Sequence, residues 1–588
     1  MRRLQGLVVV TLLALGAACA APKVVRFPPA APMWRDTDLD SVDGQCKPDP
    51  DKPNKLVCGP PEYESSFAWD AADNTLFRPV TRFLAVETGR PARNVNSWDE
   101  TPDSSWFTNR IGKDGMTPEA VAQGYCDAHE ELDPQLADGA WVIDQGKPNG
   151  ANPGFRVKMP SGQKYMLKAD PEDQPERATG ATSIASRIYF AAGWFSPCDS
   201  VVYFRPSLLR LSPGLTVTDN SGVTKPFDAA ALDNLLRRAS HRGGLVRMVA
   251  SKWLPGRALG PFTYAGVYKE DPSDVIPHED RRDLRGARLI AAWLNHFDSR
   301  EQNTMMTWMP DPQDPRRGHV RHWYIDLGDC FGSEWEWEGI SKRLGYSYYF
   351  DPEDVVSDFA TLGLRTRPWD RAQRNPDARI FGFFRGGDFE PEFWKGGYPN
   401  PTFARMDEHD GAWAARIIAK FTDAHVLAAV QVGNYTDPEH VRFLTGALIQ
   451  RRDAILRRYF SRLSPLSAPK LANAQLCLTD LARQSQVWPA TSFAYSATLF
   501  ASGGTHGQTL VPVPGPAGEV CVNLKVDGAA TGAGQESERR RFLVLDVFNG
   551  VSRGPLRVHL YDEGKDGYRL AGLERPLSAA APAFSETP

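Results

Sequence analysis

The sequence predicts an α+β protein assembled from several units, and three observations carry that reading. Short strand-like runs broken by Gly-rich turns fill the stretch from Trp141 to Lys168. Apolar residues at helical spacing dominate from about Ala412 to Phe460. Alternating runs between Phe542 and Leu573, separated by Gly- and Asp-rich turns, then predict a small β-sandwich. With 588 residues the chain has material for about two to four domains with sizeable cores. A net charge of −4 gives no broad electrostatic drive toward nucleic acid. The 16 Trp and 47 Pro fit a loop-rich exported chain better than a helical bundle.

The beginning reads as a targeting signal. Arg2 and Arg3 precede an apolar run from Leu4 to Leu15, and small residues lead to Cys19. The run is too short to span a bilayer, and no later segment is long and apolar enough. Leu15-Gly16-Ala17-Ala18-Cys19 resembles a bacterial lipobox, with Gly16 standing where that pattern usually has Leu. The resemblance implies a signal over residues 1–19, lipidation of Cys19 and, because Ala20 follows, sorting to the outer membrane. A periplasmic or secreted protein is the alternative.

Residues 20–135 form an extension rich in Pro, Asp and Trp. Asp36, Asp38, Asp40 and Asp43-Gly44 have some of the spacing of a calcium loop, but Lys47 occupies the position that needs a bidentate acid. A solvated acidic linker is the expectation. Aromatics around Trp69 and Trp106-Phe107 are expected to pack the extension onto the next unit, and Thr117-Pro118 starts a helix. Cys46 and Cys58 are expected to pair, as are Cys477 and Cys521; Cys126, Cys198 and Cys330 remain, so at least one thiol is free.

Strands are expected at Trp141–Ile143, Phe155–Met159 and Tyr165–Lys168, with a turn at Ser161-Gly162. A helix from about Glu176 to Ala192 stops at Gly193. Further strands lie at Ser200–Phe204 and Leu245–Leu254, the latter ending at Pro255-Gly256. Arg281, Arg282 and Arg285 open another helix and are expected on its solvated face. Ser464–Pro469 reads as a linker to the last unit, residues 465–588, whose tail after Leu577 is rich in Ala, Ser and Pro.

The chemistry concentrates between Leu294 and Ser333. His296-Phe297-Asp298 is followed by Asn303, and Trp323-Tyr324-Ile325 delivers Asp326-Leu327-Gly328. Phosphoryl transfer to a hydroxyl needs one carboxylate to accept the incoming proton. It also needs an amide and a second carboxylate to hold metal ions. Asp298 suits the first role; Asn303 and Asp326 suit the second.

In these motifs the chain resembles the protein-kinase-like superfamily, and the Ile-Asp-Leu-Gly form is closest to its atypical and secreted branches. The resemblance covers roughly residues 136–464 and implies a two-lobed kinase-like core with lobes 136–256 and 257–464. It also implies that Lys168 contacts nucleotide phosphates and that the loop with Gly146, Gly150 and Gly154 turns its amides toward them. An acid on the following helix would orient Lys168, and Glu176 is the one available there; Thr182 or Ser183 stands nearer mid-helix. ATP or another nucleotide and Mg2+ or Mn2+ are the implied cofactors, and the acceptor is a hydroxyl of a protein, lipid or glycan. The other readings are a catalytically inactive kinase-fold scaffold of the envelope and a structural protein of a different fold.

Overall fold

In the computed structural model the described residues are 32–50, 52–64, 66–85, 89–126, 132–147, 152–218, 223–335, 337–501, 507–524 and 542–578. Cys19 and Gly150 lie outside them. The fold is mixed α and β, as the sequence predicts.

The first sheet is built from Trp141–Gly146 (β1), Gly154–Lys158 (β2) and Lys164–Lys168 (β3). These strands form a meander, with Gly162 in the turn at φ +90°. Arg177–Ala192 (α1) follows, stopped by Gly193, and leads to Asp199–Phe204 (β4) and Leu245–Lys252 (β5). β5 pairs antiparallel with β3 and also with β4. Strand alternation sends Trp141, Phe155, Leu167 and Met248 into one apolar core, joined by Leu235 and Leu236 of the helix Ala229–Arg238. Lys168 has the opposite parity to Leu167 and lies beside Val249 of β5.

α1 is buried along nearly its whole length, between this sheet and a helical body. Its small residues permit that. A Cβ on Gly180 would come within 2.5 Å of the Tyr435 hydroxyl oxygen. The helical body contains Arg282–Leu294 (α2), Glu408–Ile418 (α3), Asp423–Gln431 (α4) and Pro438–Phe460 (α5). Between α2 and α3 the chain makes the antiparallel pair Thr304–Pro310 (β6) and Arg317–Tyr324 (β7). One large core is shared by α1, α2, β6, β7 and the later helices.

The extension is structural. Trp106 and Phe107 are buried in the main core, and Thr117 caps the helix Pro118–Gln123 as expected. The acidic linker is corrected: Asp36 and Asp38 are buried and accept from Arg281 at 2.5 and 3.3 Å. The solvated arginine face is corrected with it. Arg282 pairs with Asp99 and Asp410 at 2.5 and 3.2 Å, and Arg285 with Asp280 and Asp410 at 3.1 and 3.3 Å. Asp99 also meets Arg416 of α3 at 3.3 Å and Arg575 of the last unit at 2.6 Å. One buried carboxylate thus ties the extension, the helical body and the C-terminal unit together. Burial by itself would raise the Asp99 carboxyl, but the three guanidiniums outweigh it and hold it well below the usual carboxylate range.

The last unit has two antiparallel sheets around a shared core that includes Leu476, Val522, Leu545 and Val558. The stretch read as a linker is instead its first strand, Leu466–Ala472. Pro469 is tolerated there because the strand is an edge and its register shifts between Ser467 and Lys470. Disulfides join Cys46–Cys58 and Cys477–Cys521 as expected; Cys126–Cys198 is a third, leaving Cys330 as a buried free thiol. No helix among the described residues is long and apolar enough to cross a membrane.

Candidate active site

The site forms where Lys168 of the first sheet meets the α2–β6 loop and the end of β7. Ile325 N–H donates to the Asn303 carbonyl at 3.0 Å, which holds those two chain segments side by side. Asp326 then takes a left-handed conformation, φ +55° and ψ +50°, uncommon for a residue with a side chain. Leu327 anchors the turn in the main core, and Gly328 packs against α1, where a Cβ would stand 3.0 Å from Thr182 Oγ1. So turned, Asp326 Oδ1 accepts from Lys168 Nζ at 2.8 Å. Burial would raise this carboxyl, but Lys168, Lys147 and the hydrogen bond outweigh it and hold it well below the usual range.

Lys147 is a second cation here, from the β1–β2 loop, with Nζ donating to the Asn152 carbonyl at 2.9 Å. Burial and the charge of Lys168 push its ammonium down to about 8, against the pull of Asp326. Asp199, at the start of β4, is a buried acid within the field of Lys168; burial raises it to about 6 despite Ser251 and Lys168.

The α2–β6 loop supplies the other half. Asn295 closes α2 in a left-handed conformation, and His296 turns inward with Nδ1 2.9 Å from the Tyr189 hydroxyl. Burial lowers His296 to about 4, against the pull of Asp298 and Asp326, so the ring is neutral at pH 7. Asn303 Nδ2 donates to the Asp298 carbonyl at 2.7 Å and to its Oδ2 at 2.9 Å, while Arg300 Nε lies 3.2 Å from Oδ1. The Asp298 amide donates to Asp329 Oδ2 at 2.9 Å. Burial raises both Asp298 and Asp329. Asp298 is pushed further by Asp329 and Asp326, against Arg300 and Asn303, and Asp329 is pushed further by Asp326. Tyr349 and Tyr398 edge this side with ring centroids 4.9 Å apart, and Arg300 lies over Tyr398 at 5.5 Å.

A divalent cation fits this donor set. Asp329 Oδ1 is buried without a hydrogen-bond partner, 3.7 Å from His296 Nε2, and the Asp298, Asp326 and Asp329 carboxylates repel one another. Asp326, Asp329 and Asn303 are the residues that would hold it. Among the described residues, no three His, Cys, Asp or Glu ligand atoms of this site gather within 4.8 Å of one another. Cys477, Glu519 and Cys521 are so gathered, but those two sulfurs form a disulfide and have no thiolate to offer.

Lys168 thus meets Asp326, Asn303 meets Asp298, and the Ile325–Asn303 hydrogen bond joins the two pairs, whereas Glu176 does not reach them. It begins α1 at φ +66°, and its carboxylate accepts from the Thr436 amide at 2.8 Å and from the Thr436 hydroxyl. Arg242 lies 3.6 Å from it. Thr182 donates to the Ala178 carbonyl and Ser183 to the Asp199 carbonyl, so neither replaces the missing acid. Gly146 and Gly154 have packing reasons of their own. A Cβ on the first would strike Val217 at 2.2 Å, and one on the second the Leu167 carbonyl at 2.2 Å. Lys147 and Asp329 were not singled out in the sequence; Lys147 adjoins Gly146 in the flagged loop, and Asp329 follows Gly328 directly.

One competing constellation is excluded by geometry. Ser105 Oγ lies 2.8 Å from Asp38 Oδ2 and 3.0 Å from His322 Nδ1, the residue types of a hydrolytic triad. There the hydroxyl sits between acid and imidazole, whereas a triad needs the imidazole between the other two. All three side chains are buried, and His322 is stacked on Trp106. Set against models of known families, curated proteins and solved structures, the chain matches none.

Proposed function

We propose that this chain is a kinase-like phosphotransferase, two-lobed about this cleft, that moves phosphate from a metal-bound nucleotide, ATP or another, to a hydroxyl acceptor. The observation that carries the reading is the Lys168–Asp326 ion pair, formed across 158 residues of sequence on the side of the cleft that holds Asp298 and Asn303. Lys168, with Lys147 behind it, offers positive charge to the phosphates. Asp326, with Asn303 and Asp329, holds Mg2+ or Mn2+, which when bound neutralises charge on the transferring group. Asp298 takes the proton from the acceptor hydroxyl as its oxygen bonds to phosphorus, and the nucleoside diphosphate leaves with the bridging oxygen. Arg300 and Asn303 fix the Asp298 carboxylate for that transfer.

A second reading has its own support. With Glu176 committed to Thr436, no helix carboxylate reaches Lys168, which suits an inactive kinase-fold scaffold. Export as an envelope lipoprotein through Cys19 remains part of the proposal, resting on the N-terminal sequence. The test is nucleotide binding and transfer by the purified chain with Mg2+ or Mn2+, beside Asp298→Asn. Transfer lost in the variant supports the enzyme; nucleotide binding without any transfer supports the scaffold.

A further inference from the structure

Lys168 pairs with one carboxylate among the described residues, Asp326, and metal binding would take that partner away. An ammonium on a side chain only 11% exposed then needs another counter-charge. Glu176 is committed to Thr436. Asp170, two residues after the lysine, accepts from the Thr179 amide at 2.8 Å, its hydroxyl at 3.0 Å and the Ser240 hydroxyl at 3.1 Å, beside Arg247. Asp199 is different. It opens β4, is 2% exposed, and its Oδ1 is buried without a hydrogen-bond partner. Such an orphaned oxygen calls for a reason. Three other acids among the described residues keep one: Asp298 and Asp329, already assigned to the site, and Asp274, whose Oδ2 holds His278 at 2.8 Å.

The strand register puts Asp199 on the lysine's face of the sheet. Val249 of β5 lies opposite both Lys168 of β3 and Val201 of β4, and Ser251, two residues on, lies opposite Asp199. Residues opposite one another, and residues two apart along a strand, share a face. Lys168 and Asp199 therefore stand on one side, away from Leu167 and Met248 in the apolar core. Two strand spacings, about 10 Å, lie between their backbones, and the flexible four-carbon stem of the lysine is the part that can move. Burial raises the Asp199 carboxyl to about 6, against Ser251, Lys168 and then Arg187, so it is ionised at pH 7. Of the two cations Lys168 acts the more strongly. Arg187 spends its donors elsewhere, on the Asp199 main-chain carbonyl at 2.7 Å and the Ala122 carbonyl at 2.9 Å.

We propose that Asp199 is the positioning residue for Lys168: when a metal takes Asp326, the ammonium swings from Asp326 Oδ1 to Asp199 Oδ1, and a strand acid holds the lysine that no helix acid reaches. Its part in transfer rests on the phosphotransfer reading; the swing itself does not. A crystal structure of Asp326→Asn without nucleotide tests the swing, because Asn keeps the left-handed turn and removes the competing charge. Lys168 Nζ should lie about 2.7 to 3.2 Å from Asp199 Oδ1. An ammonium still on residue 326, or turned to solvent, overturns the proposal. The part in transfer is read from a double-mutant cycle with Mn2+ and ATP. Asp199→Asn should lower kcat/KM by about tenfold in the wild type and by less than about twofold in Lys168→Met. Equal losses in both backgrounds would mark Asp199 as structural and overturn the assignment. A chain that binds no nucleotide refutes the phosphotransfer reading alone, and the Asp326→Asn structure still decides whether the lysine turns to Asp199.

Discussion

Replacing Lys168 with Met should change metal and nucleotide binding in opposite directions. Lys168 Nζ sits 2.8 Å from Asp326 Oδ1, where the proposed cation would bind. At an effective dielectric of about 20 such a contact has a gross Coulomb energy of about 6 kcal/mol. The Asp326 side chain is 36% exposed, so solvent and salt screen much of it. A net value of about 1 to 1.5 kcal/mol is the scale expected of a screened, charge-assisted hydrogen bond. A metal entering the wild type must displace the ammonium; in Lys168→Met it need not. Mn2+ affinity without nucleotide, read by electron paramagnetic resonance, should therefore rise by about five- to tenfold. Lys147 remains close to Asp326 and keeps the gain from being larger. Nucleotide affinity with Mn2+ should fall by about tenfold, because a phosphate-facing cation is lost. Mn2+ affinity that is unchanged or lower in Lys168→Met would refute the view that the lysine and the metal share one carboxylate.

Further predictions follow from the same geometry. Asp298→Asn should leave nucleotide affinity within about twofold and lower transfer by about 10²- to 10⁴-fold, measured in single turnover. Transfer should rise with pH as Asp298 loses its proton, on a limb above the usual carboxylate range. Asp329→Asn should move that limb to lower pH, since it removes a negative charge that pushes Asp298 up. A limb that stays in place would reject the coupling. Glu176→Gln should leave the transfer rate within about twofold while lowering stability by about 1 kcal/mol, because its carboxylate serves Thr436 rather than Lys168. Asp99→Asn leaves three buried guanidiniums without their shared carboxylate and should cost about 3 to 5 kcal/mol, seen in denaturant unfolding. The Asp99 carboxyl is held low in the fold, so its stabilisation is complete above the unfolded carboxyl value and is lost as pH falls toward the folded one.

Local pattern made much of the fold legible. Alternation and the Ser161-Gly162 turn locate β2 and β3, Gly193 ends α1, and the strands from Phe542 onward fall within a residue of their expected bounds. The candidate residues could be picked out for a related reason: Asp298, Asn303 and Asp326 each sit at a boundary between elements that periodicity can find. What stayed hidden depends on partners far away in the chain. Asp36 and Asp38 look like solvated acids until Arg281 is beside them, 245 and 243 residues on. Glu176 looks like a lysine-orienting acid until Thr436 claims it, 260 residues on. Pro469 reads as a linker residue because its tolerance comes from an edge strand and a register shift, which only the assembled sheet reveals.

The central claim is tested most directly by titrating ATP and other nucleotides into the purified chain, with Mg2+, with Mn2+ and with chelator, beside Asp326→Asn. The account predicts saturable binding that requires the metal and is weakened at least tenfold by Asp326→Asn, because an amide offers the cation an oxygen without the charge. Absence of nucleotide binding under every metal condition, or equal binding by Asp326→Asn, would contradict it.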